Sequence, residues 1–113
     1  MVKFIATYSL PKGMDGDEFW GYHTGPHAKD YMKIAGPGLI KYVIKRVVKP
    51  MVGEQQFFAL IEMWWETQED MDKEMDAARK TTVVSGKTIA DDFMDRVTDY
   101  RNAIIEEFVV KEP

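Results

Sequence analysis

Apolar and polar positions alternate through Val2–Ser9, placing Val2, Phe4, Ala6 and Tyr8 on one face, which is the pattern of a first strand. Leu10-Pro11-Lys12-Gly13 ends it, because Pro and Gly interrupt both strand and helix. Asp15, followed three residues later by Glu18, supplies the capping oxygen and acidic first turn of a helix. Trp20, His23, His27, Tyr31 and Ile34 then recur at three- and four-residue spacings and form one helical face. Pro26, preceded by Gly25, falls inside that stripe. It lacks an amide proton and clashes with the preceding turn, so a kink or break is expected near Gly25. Gly36-Pro37-Gly38 stops the helix.

A second strand is predicted over Leu39–Val48, with Ile40, Tyr42, Ile44, Arg46 and Val48 on one face. A third runs from Gln56 to Glu66 and is covered on both sides: Phe57, Ala59, Ile61, Met63 and Trp65 alternate with Phe58, Leu60, Glu62, Trp64 and Glu66. Thr67 caps a second helix whose buried stripe is Met71, Met75 and Ala78. An irregular stretch from Thr81 to Gly86 leads to a short helix holding Ile89 and Phe93, and a final strand is expected from about Arg101 to Val110. The order β-α-β-β-α-β is the ferredoxin-like split βαβ arrangement, an α+β fold with a four-stranded antiparallel sheet in one domain, residues 1–113. Two helices cover one face of such a sheet. Strands that are apolar on both sides cannot leave the other face in water, so a homodimer is expected.

The 113 residues carry 15 Lys/Arg against 19 Asp/Glu, a net charge of −4 that gives no support to nucleic-acid binding. No apolar run approaches a membrane span, and the first residues do not read as a signal peptide, so a cytoplasmic protein without membrane association is expected. The absence of cysteine rules out a disulfide scaffold, a thiolate zinc site and a Cys nucleophile. No phosphate loop, dinucleotide fingerprint or Ser-His-Asp order is present. The chain instead carries 6 Phe, 5 Tyr, 3 Trp and 8 Met, more large side chains than a core of this size needs.

The segment EFWGYHTGPHAKDYMKIAGPGLIKYVIKRV, residues 18–47, resembles the signature of the EthD-like family of dimeric α+β barrel proteins. Phe19, His23, His27, Pro37-Gly38-Leu39 and Tyr42 match in order, and ALIEMWWETQED resembles the family's third strand, with Glu62 and Trp64 in register. The chain departs in the spacing from His27 to Pro37 and in having Pro26 before the second histidine. Either His23 or His27 can therefore stand at the family's histidine position. The resemblance implies a homodimer whose sheets close into a barrel, with one cavity per subunit between sheet and helices. Proteins of this fold include cofactor-free polyketide cyclases and dehydratases, a lactone isomerase and quinol-forming monooxygenases; fold alone does not choose among them.

His23 and His27 are the chain's two histidines, four apart on one helical face. Imidazole is the side chain whose ordinary pKa lies near neutrality, so the pair points to acid–base catalysis, against a packing role or a metal site. A zinc site wants a third protein ligand, which Glu62 would have to supply. Tyr8 and Tyr42 are the phenols expected to line a pocket. Trp64 and Trp65 point to opposite faces, one toward the cavity and one toward a dimer interface. A buried Glu62 would have a raised pKa and act as a proton donor or acceptor; otherwise it pairs with Arg46 or Arg101. Asp91-Asp92 and the run Glu69–Asp76 read as solvated helix faces, and Met71, Met75, Phe93 and Met94 as core. Lys41, Lys45, Arg46 and Lys49 form a basic strand end that blunts an edge or receives an anionic substituent. The expected function is cofactor-independent acid–base chemistry, without metal, on a small hydrophobic aromatic or polyketide-like molecule, by dehydration or aldol-type cyclisation. The rivals are a monooxygenase of a phenol, a lactone isomerase and a non-catalytic metabolite-binding protein.

Overall fold

The computed structural model describes Met1–Pro113. Its elements are β1 (Val2–Ser9), α1 (Gly16–Tyr22), a π-helical turn (His23–His27), α2 (Ala28–Ile34), β2 (Leu39–Arg46), β3 (Ala59–Trp65), α3 (Gln68–Lys80), α4 (Ile89–Met94) and β4 (Thr98–Ile105). The strands form one sheet in the order β2-β3-β1-β4 with every neighbour antiparallel, the ferredoxin-like α+β arrangement. No helix is long and apolar enough to cross a membrane.

The two central strands carry the core because only they have a neighbour on each side. Phe4 pairs with Met63, Ala6 with Ile61 and Tyr8 with Ala59, and all six are buried on the face that the helices cover. Trp65 continues that face and packs edge-on against Phe4 at 5.9 Å. Tyr8 is the hub: its ring lies 5.2–6.0 Å from Phe93, Phe19, His23 and Phe58. Caps fix the helix starts. Asp15 Oδ1 accepts the Glu18 N–H at 2.9 Å and Thr67 Oγ1 accepts the Asp70 N–H at 3.1 Å.

The interruption expected at Gly25-Pro26 is a single wide turn. Pro26 has no N–H to give, and the Ala28 N–H reaches back to the His23 carbonyl, five residues away. The helical course continues through α2 with no change of face. His23, His27 and Tyr31 all stay buried, and the two imidazole rings sit 5.3 Å apart.

Several expectations need correction. β4 begins at Thr98 and ends at Ile105, shifted from Arg101–Val110. Its early start passes through a bulge opposite Thr7–Ser9 and through Asp99 at φ 49°, which hide the alternation; its pairing stops where Ile105 meets Lys3, near the start of β1. β2 ends at Arg46, leaving Val48 exposed, and β3 begins only at Ala59. Met94 is exposed, not core. Glu74 and Asp92 are 4% and 8% exposed, so neither lies on a solvated helix face.

Candidate functional site

A cavity of about 350 Å³ lies between the sheet and the helices. Phe4, Ile61 and Met63 form its floor, and Met75 from α3 with Ile89 and Phe93 from α4 form its walls. Its polar groups are few: His27, Tyr31, Tyr42, Tyr100 and Asn102, with Arg79 and Asp91 also lining it. An apolar pocket with a handful of convergent polar groups is the usual form of a small-molecule site.

The His27 ring stacks on Phe93 at 4.8 Å and 29° and makes no hydrogen bond within the chain. Burial lowers its pKa to about 4, although Asp92 and Asp30 pull the other way, so the imidazole is neutral at pH 7. The Tyr42 ring packs edge-on to Tyr31 at 5.3 Å, and burial raises the pKa of its hydroxyl, as it does that of Tyr100. Tyr31 is already engaged: its hydroxyl donates to Glu74 Oε1 at 2.8 Å, while Glu74 Oε2 accepts the Gly36 N–H at 3.0 Å. Tyr42 has no such tether and is the phenol free to meet a ligand.

Behind the cavity wall, Tyr22 donates to Asp92 Oδ2 at 2.6 Å and Ser85 to Asp92 Oδ1 at 2.9 Å, and Arg96 Nε donates to the Asp92 carbonyl at 3.0 Å. Burial would raise the Asp92 pKa, but the Tyr22 and Ser85 hydrogen bonds and the Arg96 charge hold it below the usual carboxylate value. This network fastens α4, and with it Phe93, to α1 and to the loop before α4.

Of the residues singled out from the sequence, His27 and Tyr42 line the cavity. His23 and Tyr8 do not: both are fully enclosed behind it, hydrogen-bonded to each other at 2.6 Å. Trp65 is locked in the core, and Trp64 lies on the opposite face, under the ammonium groups of Lys3 and Lys41 at 4.1 and 4.3 Å. Glu62 shares that outer face. It pairs with Lys41 and Lys45, each at 2.9 Å, rather than with Arg46 or Arg101, and the two ammonium groups lower its pKa. Arg46 pairs instead with Asp17, and Arg101 with Asp99. Glu62 is thus on the wrong side of the sheet to serve the histidines as proton donor or third metal ligand. Sequence reasoning missed Tyr100 and Asn102. Their alternate spacing with Ile104 was the available signal, cut short by starting the strand at Arg101.

Fold and cavity together define a ferredoxin-like α+β protein with an aromatic-walled pocket beneath its helices. No protein-family model matches the sequence, and no curated protein does. Among solved structures, an ethyl tert-butyl ether D (EthD) family protein from Bacillus halodurans is 29% identical over 96% of this chain and 99% of its own, with a TM-score of 0.68. A dimeric ferredoxin-like protein of unknown function from Thermobifida fusca is 11% identical, over 92% of this chain and 88% of its own, at TM-score 0.66. SnoaB, a cofactor-independent oxygenase from Streptomyces nogalater, is also 11% identical, over 98% and 97%, at TM-score 0.65. The chain shares the fold of the EthD family protein over nearly the whole length of both.

Proposed function

We propose that the cavity binds a small, flat hydrophobic molecule, aromatic or polyketide-like, and that His27 carries out cofactor-independent acid–base chemistry on it, by dehydration or aldol-type cyclisation. The observation that carries this reading is an unbonded, neutral imidazole facing an apolar cavity beside an untethered phenol, Tyr42. The neutral ring takes a proton α to a carbonyl, and the Tyr42 hydroxyl donates a hydrogen bond to the enolate oxygen. The imidazolium so formed, with a pKa held near 4, is a strong acid that hands its proton to the departing hydroxyl. The same low value makes His27 a weak base, so the substrate carbon must be activated, as it is between two carbonyls. His23 and Tyr8 support the wall and touch no substrate.

We further propose a homodimer as the working unit, formed through the outer sheet face that carries Ile5, Leu60, Glu62 and Trp64. The dimeric description of the Thermobifida fusca protein supports it, as does a face whose apolar residues no helix covers. The test compares wild type with His27→Ala and Tyr42→Phe on a panel of aromatic β-hydroxyketones and poly-β-ketones. His27→Ala is expected to keep its circular dichroism and lose at least about 100-fold in turnover. Wild-type turnover in that folded variant overturns the acid–base assignment. Oxygen uptake during turnover replaces it with oxygenation, and bound probes recovered unchanged from every panel member replace it with binding alone.

A further inference from the structure

Three of the chain's arginines are paired with carboxylates: Arg46 with Asp17 at 2.8 Å, Arg96 with Asp92 at 3.5 Å and Arg101 with Asp99 at 3.0 Å. The remaining one, Arg79, forms no ion pair, and it is the one that lines the cavity. Asp76, one turn back on α3, would be its natural partner, but Lys80 holds that carboxylate at 2.8 Å. Asp91, the one acidic side chain in the lining, is also without an ion pair, and it does not meet Arg79. Arg79, Asp91 and Met94 are exposed and stand where the cavity opens, whereas Phe4, Ile61 and Phe93 behind them are buried.

We infer that Arg79 anchors a carboxylate carried by the cavity's ligand, so that the molecule it takes is a flat aromatic monocarboxylate. A guanidinium presents a planar fork of N–H donors that meets a carboxylate with two parallel hydrogen bonds, and the charge strengthens both. With the ring on the apolar floor and the carboxylate at the mouth, the anion stays partly hydrated. The ligand then gains the pairing without the full cost of burying a charge. Asp91 limits the charge that fits. One guanidinium beside one carboxylate leaves the mouth with no net charge, which accepts a single negative group on the fork and opposes a dianion such as a phosphate monoester.

The inference rests on the reading of the cavity proposed above, and the experiment separates the two. Equilibrium dialysis measures the dissociation constants of 2-naphthoate, the uncharged 2-naphthamide and 2-naphthyl phosphate for wild type, Arg79→Gln and Lys73→Gln. Arg79 is exposed, so its replacement leaves no buried group behind. Lys73→Gln removes the same charge from the same helix at a position outside the lining. Wild type is expected to bind 2-naphthoate at least about tenfold more tightly than 2-naphthamide. Arg79→Gln should abolish that preference with the amide constant unmoved, and Lys73→Gln should keep it. A wild-type protein that binds none of the probes overturns the cavity reading and the anchor together. Binding of the amide with no preference for 2-naphthoate, or a preference that survives Arg79→Gln or is lost equally in Lys73→Gln, overturns the anchor alone. Tighter binding of 2-naphthyl phosphate than of 2-naphthoate overturns the carboxylate assignment.

Discussion

The Tyr8 hydroxyl and His23 Nδ1 lie 2.6 Å apart in full enclosure, joining the central strand to the first turn of the π segment. With the phenol donating, the ring proton sits on Nε2, which is buried without a partner. His23 is therefore held by this one bond and by its contacts with Phe93 at 4.8 Å and His27 at 5.3 Å. Tyr8→Phe leaves Nδ1 unpaired in the core and is expected to cost about 1–3 kcal/mol of stability, read from urea unfolding. Because neither group lines the cavity, ligand affinity should move far less than in His27→Ala. Equal affinity losses in the two variants would contradict that placement.

The histidine pair makes stability depend on pH. Burial lowers the pKa of His23 to about 3 and of His27 to about 4, whereas in the unfolded chain each titrates near the ordinary histidine value of about 6.5. Above that value both states are neutral and nothing changes. Below it the unfolded chain takes up protons that the folded chain refuses, so stability falls as pH drops from about 6.5 toward 4. The steepest slope for the two together is about 2.7 kcal/mol per pH unit. Denaturant midpoints at pH 7, 6 and 5 check this, with His27→Gln expected to halve the slope. The lowered pKa values of Glu62 and Asp92 act in the same direction at more acid pH, which leaves the upper part of the window to the histidines. A curve flat from pH 7 to 5 would mean that both rings are accessible to protons in the native state.

β1 was legible to the residue because strict alternation beside Pro and Gly punctuation leaves little choice, and Asp15 and Thr67 marked their helices because a short side-chain oxygen is what an N-terminus needs. Tertiary partners explain what was not legible. Glu74 and Asp92 look like solvated carboxylates until the Tyr31 and Tyr22 hydroxyls, 43 and 70 residues away in sequence, come to meet them. β3 carries one tryptophan on each face, so alternation alone could not tell which of them faces the helices; the choice belongs to packing, and Trp65 took the core. His27 and Tyr42 were legible as chemistry-bearing residues. That His27, not His23, faces the cavity follows from the register of the π turn, which periodicity does not report.

Glu74 is the clasp between α3 and the turn entering β2. Glu74→Ala strips an acceptor from both the Tyr31 hydroxyl and the Gly36 amide, and is expected to cost about 2–5 kcal/mol. Glu74→Gln keeps one acceptor oxygen and should lose less than half as much. Because Tyr31 lines the cavity, the alanine variant should also weaken binding of aromatic probes, seen as a shift in a fluorescence titration. A loss of stability under about 0.5 kcal/mol, the usual range of a surface substitution, would show that the carboxylate is solvated after all.

Two glycines give opposite expectations for the same change. At Gly38 an added Cβ would run into the Asp70 carboxyl group, which Thr67 holds by a 2.9 Å hydrogen bond at the start of α3, while the Gly38 carbonyl accepts the Glu66 N–H at 2.8 Å. The side chain that must yield is short and anchored, and the backbone that must yield ties β2 to the end of β3. Gly38→Ala is therefore expected to lose about 1–3 kcal/mol. Gly21 lies inside α1 with nothing within 4 Å of the position a Cβ would take. There alanine removes unfolded-state freedom and meets no obstacle, so Gly21→Ala should gain about 0.5–1 kcal/mol. Thermal melts of the pair decide the matter: Tm falls for the first and rises for the second. A Gly38→Ala protein as stable as wild type would mean that the turn before β2 relaxes without disturbing the cap of α3.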